Sequence, residues 1–250
     1  MTADTTAPDI DQAPDAEPAA DAPTAPARHR LWPLWAVLAG ALGFTATVLM
    51  DVRPLTEIQS IANGIPYEVT PADMDDITRT NNYLGFVLGF VAVAAMLALH
   101  GAWRVRVETA YANSIAARVV SGALLTTAAG LTLAFGWKGA LANYGFDGPE
   151  AGAYGEEGLF VYYMLTDFGA YLPWLGAIIA AAAVAWMAFV ERSVSRGLGA
   201  FSGILAILVA GAFVVSGVPG LSGLVGGFWL VVAGIWLSVG RSAITLKPAA

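Results

Sequence analysis

The chain has 250 residues, 57% of them hydrophobic, with a mean hydropathy of +0.65. Its charged share of 12% is about half that of soluble domains, which excludes an ordinary soluble domain and gives no reason to expect a nucleic-acid partner. The net charge is −7, and the absence of cysteine excludes disulfides, iron–sulfur clusters and thiolate metal sites.

Residues 1–30 form the first compositional unit. Positions 1–27 are rich in Ala, Pro, Asp and Thr, and carry six carboxylates and no base. Such a segment buries too little apolar surface to offset its ordering entropy, so a disordered acidic cytoplasmic tail is predicted. It lacks the basic start of a signal peptide. It is either a solvated tail or a docking tail for a basic partner.

Six apolar stretches follow, at about 31–50, 83–103, 119–137, 168–190, 198–217 and 221–240, and none contains Asp, Glu, Lys or Arg. A helix needs about 20 apolar residues to cross a hydrocarbon core of about 30 Å. In lipid the backbone must satisfy its own hydrogen bonds, so stretches of this length cross as helices. The predicted fold is therefore all-α: a polytopic transmembrane bundle of six helices over residues 31–242, embedded in a lipid bilayer. Residues 243–250 are left as a cytoplasmic tail. Positive charge orients the bundle. Arg28, Arg30, Arg104, Arg106, Arg118, Arg192, Arg196, Arg241 and Lys247 fall on one side, and Arg53, Arg79 and Lys138 on the other. The positive-inside rule then puts both termini in the cytoplasm. Trp32, Trp35, Trp103 and Trp186 at the inner ends, with Trp137 and Trp174 at the outer ends, are expected to form interfacial belts.

The first outer loop, 51–82, is longer than a connector requires. Leu55, Ile58, Ile61 and Ala62 recur at helical spacing and predict a short amphipathic helix on the membrane surface, stopped at Asn63-Gly64. Thr70-Pro71-Ala72-Asp73 predicts a capped helix start that continues into the second span. The second outer loop, 138–167, is rich in Gly and Tyr, and its 158–166 end is apolar enough to extend the fourth helix outward. The turn near Gly217–Gly220 predicts an antiparallel hairpin of the last two spans. Small-residue pairs at Gly85/Gly89, Gly199/Gly203 and Gly223/Gly227, and the stripe Gly122/Thr126/Gly130, let helices approach closely. They serve packing within the chain or contact with a membrane-protein partner or a second copy.

Asp167 is the leading candidate for function. If its helix begins near Gly158, the carboxylate lies inside the outer leaflet, where an ionisable group marks a functional site. If the span begins at Phe168, Asp167 is a helix cap, the simpler expectation. Arg53 and Lys138 are its expected ionic partners and Asn82 its hydrogen-bonding one. The outer loops also hold Asp51, Glu57, Glu68, Asp73, Asp75, Asp76, Asp147, Glu150, Glu156 and Glu157. They read as a solvated acidic face, since their spacing matches no calcium loop.

The two histidines, His29 and His100, are too few for a bis-histidine haem or a zinc hydrolase site. No HExxH, GxSxG or phosphate-binding loop occurs. No enzyme and no cofactor are expected. The reading is a scaffold, assembly or accessory membrane protein. The alternative is a small-solute or ion transporter with an outer vestibule near Asp167, although the span interiors offer little polarity beyond Thr45, Thr47, Ser121, Thr126, Thr127, Thr132 and Ser202.

The Tyr171-Leu172-Pro173-Trp174-Leu175-Gly176 opening, the Gly-rich fifth span and the Trp-bearing sixth (Phe228 to Trp236, ending in Arg) cover about a third of the chain. In these features it resembles the small six-helix integral membrane proteins of unknown function found in bacteria. The resemblance implies a bacterial plasma-membrane location and no activity.

Overall fold

The computed structural model describes residues 31–217, 220–240 and 242–246, and among these the regular structure is all helical. The predicted acidic tail, His29, and the basic residues Arg28, Arg30, Arg241 and Lys247 lie outside the described residues. Five segments are long and apolar enough to cross a membrane: Arg79–Glu108, Ile115–Tyr144, Glu156–Phe189, Arg196–Ser216 and Leu221–Val239. A sixth apolar helical segment, Leu34–Leu49, is shorter.

The first helix, α1 (Leu34–Phe44), continues as a π-helical turn over Thr45–Leu49. The short α2 (Leu55–Ala62) stands where the 3.6-residue periodicity predicts it, and its Leu55, Ile58 and Ile61 are exposed. A bare apolar edge on a short helix beside segments long and apolar enough to cross a membrane suits a membrane interface. The Thr70–Asp73 capping box forms as expected, but it caps only a 3₁₀ turn, Pro71–Asp76. The chain then goes extended at Ile77 and Thr78 before α3 (Arg79–Trp103) begins. Ile77 and Met74 are buried with Leu159 and Tyr163 in a small second core. Burying Ile77 requires the bend that a continuous helix would remove.

A π turn, Arg104–Glu108, ends α3, and the Ser114 hydroxyl accepts the Ala117 N–H at 2.9 Å to cap α4 (Ile115–Tyr144). At 30 residues α4 is about 45 Å long, so it overshoots a hydrocarbon core of about 30 Å. The expected 138–167 loop thereby contracts to residues 145–155, and Lys138 lies within a helix. The fourth span also departs from expectation. It begins at Glu156, not Phe168, as α5 (Glu156–Gly169), breaks through a 3₁₀ turn at Leu172–Trp174, and resumes as α6 (Leu175–Phe189). Pro173 brings no N–H to the ladder and crowds the carbonyl one turn back, which favours a kink or break at this point. Helices α7 (Arg196–Ser216) and α8 (Leu221–Val239) follow, then the single turn α9 (Ala243–Leu246).

α1, α3, α4, α6 and α8 pack in a closed ring, each against the next, with α8 returning to α1. α7 stands outside that ring and packs most closely on α6, with a lesser contact to α8. The hairpin expected of the last two spans is therefore secondary to the α6–α7 pair. Gly199 explains this: a Cβ there would fall 2.2 Å from the Ala188 side chain, so the two backbones meet closely. Gly217, with φ +68°, ends α7 in the left-handed region that glycine enters freely. Residues 218 and 219 of the expected turn lie outside the described residues.

Three tryptophans expected at the interfaces are in the core instead. Trp32, Trp103 and Trp174 are buried, whereas Trp35 and Trp186 are exposed. The Trp103 indole donates to the Ala117 carbonyl at 2.9 Å, and Trp32 meets its ring edge-on at 6.2 Å. The Trp103 and Trp174 indoles each find a hydrogen-bond partner inside the bundle, which meets the polar demand of a buried Trp N–H.

Candidate functional site

The polar groups of the long-loop face converge where α1, α2, α4 and α5 meet, and the π turn of α1 starts the arrangement. The Met50 N–H donates to the Thr45 carbonyl at 2.9 Å, five residues back. In an α-helix it would use Ala46. The Ala46 carbonyl is thus left to the Lys138 ammonium, which donates to it and to the Met50 carbonyl, each at 2.8 Å. Lys138 is 1% exposed. Its stem passes Gly85, where a Cβ would come within 3.1 Å of Lys138 Cδ. A lysine can be buried here because α3 has no side chain at that point, and the π turn after α1 and the Met50 that closes it offer two carbonyls.

Above Lys138, Arg53 holds three carboxylates: Asp51 at 3.4 Å, Glu57 at 2.7 Å and Asp167 at 3.2 Å. Tyr163 donates to Glu57 at 3.1 Å and Tyr171 to Asp51 at 3.2 Å. Burial pushes the Asp51 carboxyl above its ordinary range, against the opposing pull of Lys138, Arg53 and the Tyr171 hydroxyl. Deeper in, the Trp174 indole donates to the Thr47 hydroxyl at 3.1 Å, and that hydroxyl donates to the Ala170 carbonyl at 3.4 Å. A carbonyl freed by the α5–α6 break is thereby satisfied within the bundle.

The cap expected of Asp167 is corrected. Its helix starts at Glu156, so Asp167 lies in the last turn of α5 rather than ahead of a helix. Its side chain is 36% exposed, and Arg53 offsets the unfavourable position of a carboxylate at a helix C-terminus. Of the expected partners, Arg53 reaches Asp167. Lys138 is given over to backbone carbonyls, and Asn82, buried in α3, donates to the Thr78 carbonyl of its own first turn at 3.2 Å. Asp51, Glu57, Tyr163, Tyr171, Thr47 and Trp174 complete the cluster. The i,i+4 spacing of Arg53, just ahead of α2, and Glu57, in its first turn, was the readable signal for this group. The Tyr171 and Thr47 contacts cross more than a hundred residues and left none.

The packing glycines are distributed through the bundle. Gly89 faces the Phe135 ring, Gly130 faces Pro173, Gly203 faces Ala185, Gly223 faces Tyr171, and Gly227 faces Phe44 and Gly40. Gly122 differs, because a Cβ there would meet nothing within 4 Å. His100 sits beside Ser121, with Nδ1 3.1 Å from the Ser121 carbonyl. Among the described residues no group of three or more His, Cys, Asp or Glu side chains could hold a metal ion.

Among its described residues the chain is all-helical, with several helices long and apolar enough to cross a membrane. No family model matches it, and neither a curated protein nor a solved structure matches it.

Proposed function

We propose that this protein is a non-enzymatic scaffold, assembly or accessory component of a bacterial plasma membrane, crossing it six times with both termini in the cytoplasm. Leu34–Leu49 supplies the sixth crossing. It spans about 24 Å as helix, a deficit against the hydrocarbon core that local thinning or flanking residues accommodate. The segments around Arg104–Ser114 and Arg192–Arg196 share one face, joined by the Ser114–Glu191 hydrogen bond at 2.7 Å. That face carries Arg104, Arg106, Arg118, Arg192 and Arg196, as a cytoplasmic face requires.

The observation that carries the accessory role is the fate of Lys138. A transport site keeps its intramembrane charge available to a substrate or a proton. Here the ammonium is bonded to the Ala46 and Met50 carbonyls, and the carboxylates above it are shared by one arginine and two tyrosines. The polar groups hold helices together. The transporter reading draws on the broken α5–α6 helix and the π turn facing it, since discontinuous helices line substrate sites in many carriers.

Purification in mild detergent separates the two. Stoichiometric recovery of a membrane partner is expected, and solute flux by the lone protein in proteoliposomes overturns the assignment. Impermeant maleimide should label cysteines placed at Ser60 and Ala153 in intact cells. A cysteine at Asn113 should react only after permeabilisation, and the opposite pattern defeats the orientation.

A further inference from the structure

The 145–155 segment and the start of α5 enclose a cleft of about 670 Å³ on the long-loop face, within the size range of small-molecule sites. Two of its walls are tyrosines. The rings of Tyr144 and Tyr154 meet at 87° with centroids 4.8 Å apart, forming a right-angled corner. Tyr162 backs that corner, 6.0 Å from Tyr154 and nearly parallel to Tyr144 at 6.2 Å. Tyr154 can fold onto the helix because Gly158 has no side chain, and a Cβ there would lie 3.1 Å from Tyr154 Cβ. Phe146 adds an exposed aromatic face to the lining.

The remaining wall is anionic. Glu156 and Glu157 line the cleft from the first turn of α5, and neither has an ion-pair partner among the described residues. No Lys or Arg occurs between Lys138 and Arg192. The fold brings Arg79 to this end of α4, but its guanidinium is held by the Ala142 carbonyl at 3.1 Å and over the Tyr83 ring, and it does not line the cleft. An anion is repelled there, and a neutral apolar ligand would leave the two carboxylates desolvated without compensation. The aromatic faces carry the negative side of their quadrupoles, which attracts cations held within about 6 Å. A bare metal ion is not favoured, because the described residues assemble no cluster of three metal-ligating side chains.

We propose that this cleft binds an organic cation of the methylated ammonium class, with the ammonium seated in the Tyr144–Tyr154 corner and Glu156 and Glu157 balancing its charge. The source is a free solute or the headgroup of a choline lipid, since α4 overshoots the hydrocarbon core and carries Tyr144 to the level of the headgroups. This inference is independent of the assembly role and stands or falls on binding alone.

The test uses the full chain in an uncharged maltoside detergent, titrated with tetramethylammonium chloride and choline chloride by calorimetry at constant ionic strength. Saturable binding is expected, with no competition from sodium or potassium. Tyr154→Ala and Glu157→Gln should each weaken it about fivefold, the effect of losing one aromatic face or one charge. Tyr154→Phe should retain it, because the ring and not the hydroxyl does the binding. All three variants are compared at unchanged helical content and melting temperature. Tighter binding of a short-chain phosphatidylcholine with the same variant sensitivity identifies the lipid headgroup, and equal or weaker binding identifies the free solute. No saturable binding of either probe, or binding indifferent to both Tyr154→Ala and Glu157→Gln, overturns the proposal.

Discussion

The inner bundle and the long-loop face hold the same helices together by different means. Inside, contact is made by pairing an absent side chain with a large one. Phe135 lies over Gly89, and Trp174 is wedged against Gly43 and Gly226. Helices in lipid gain no hydrophobic drive from meeting each other, so close van der Waals fit carries the association. At the long-loop face the elements are joined by charge and hydroxyl contacts instead, with Arg53 tying α2 and the preceding loop to α5, and Lys138 tying α4 to α1. Steric fit tolerates no added atom. A polar cluster tolerates changes of shape but not the loss of a charge, and the penalty grows with burial.

That contrast sets an order of effects. Lys138→Ala should be the most damaging substitution. It leaves the Ala46 and Met50 carbonyls without their donor and Asp51 with Arg53 alone as counter-charge, at a combined cost of about 3–5 kcal/mol. A large fall in melting temperature in detergent checks it, and a silent variant would mean that the α1–α4 joint is held by packing alone. Gly89→Ala comes next, at about 1–3 kcal/mol from overpacking against Phe135. Gly122→Ala is its control. Open space at that position predicts no loss and a slight gain from better helix propensity.

Asp167→Asn should cost about 1 kcal/mol or less, because its pair with Arg53 is more than a third exposed on both sides. A larger loss in thermal unfolding would place Asp167 among the residues the face depends on.

The smallest expected effect is a slope against pH. Burial raises the Asp51 carboxyl above its unfolded value, with Lys138, Arg53, Tyr171 and Asp167 as its charged or titratable neighbours. The folded state therefore holds the proton more tightly than the unfolded one. Asp51's contribution to stability is present below the unfolded value and is lost as pH rises through the raised one. Melting temperature followed across weakly acidic pH should show that decline, and Asp51→Asn should flatten it.

Much of the architecture was legible because membrane helices are written in long apolar runs. The α2 periodicity was an equally local signal and led to the right element. The Thr70–Asp73 cap formed but opened only a 3₁₀ turn and not the start of the second span. Helix ends were less legible. Lys138 reads as a loop residue by charge, yet α4 continues two turns past it, because α1 and α3 supply acceptors and space that only exist once the bundle has formed. Asp167 reads as a cap because Phe168 opens an uncharged run, whereas Leu159 and Tyr163 of the preceding segment bury themselves against Met74 and Ile77 and draw the helix start back to Glu156.

By itself the sequence determined the class of the molecule: all-helical, with apolar segments of membrane length, packing glycines and no cysteine chemistry. These follow from hydropathy and spacing along the chain, which are local quantities. Only the tertiary structure decided which polar residues meet, why a lysine is buried, where the fourth span breaks, and that α7 stands outside the ring. Each depends on a carbonyl, a gap or a charge supplied by an element distant in sequence, and a pattern read along one segment carries no record of what stands across from it.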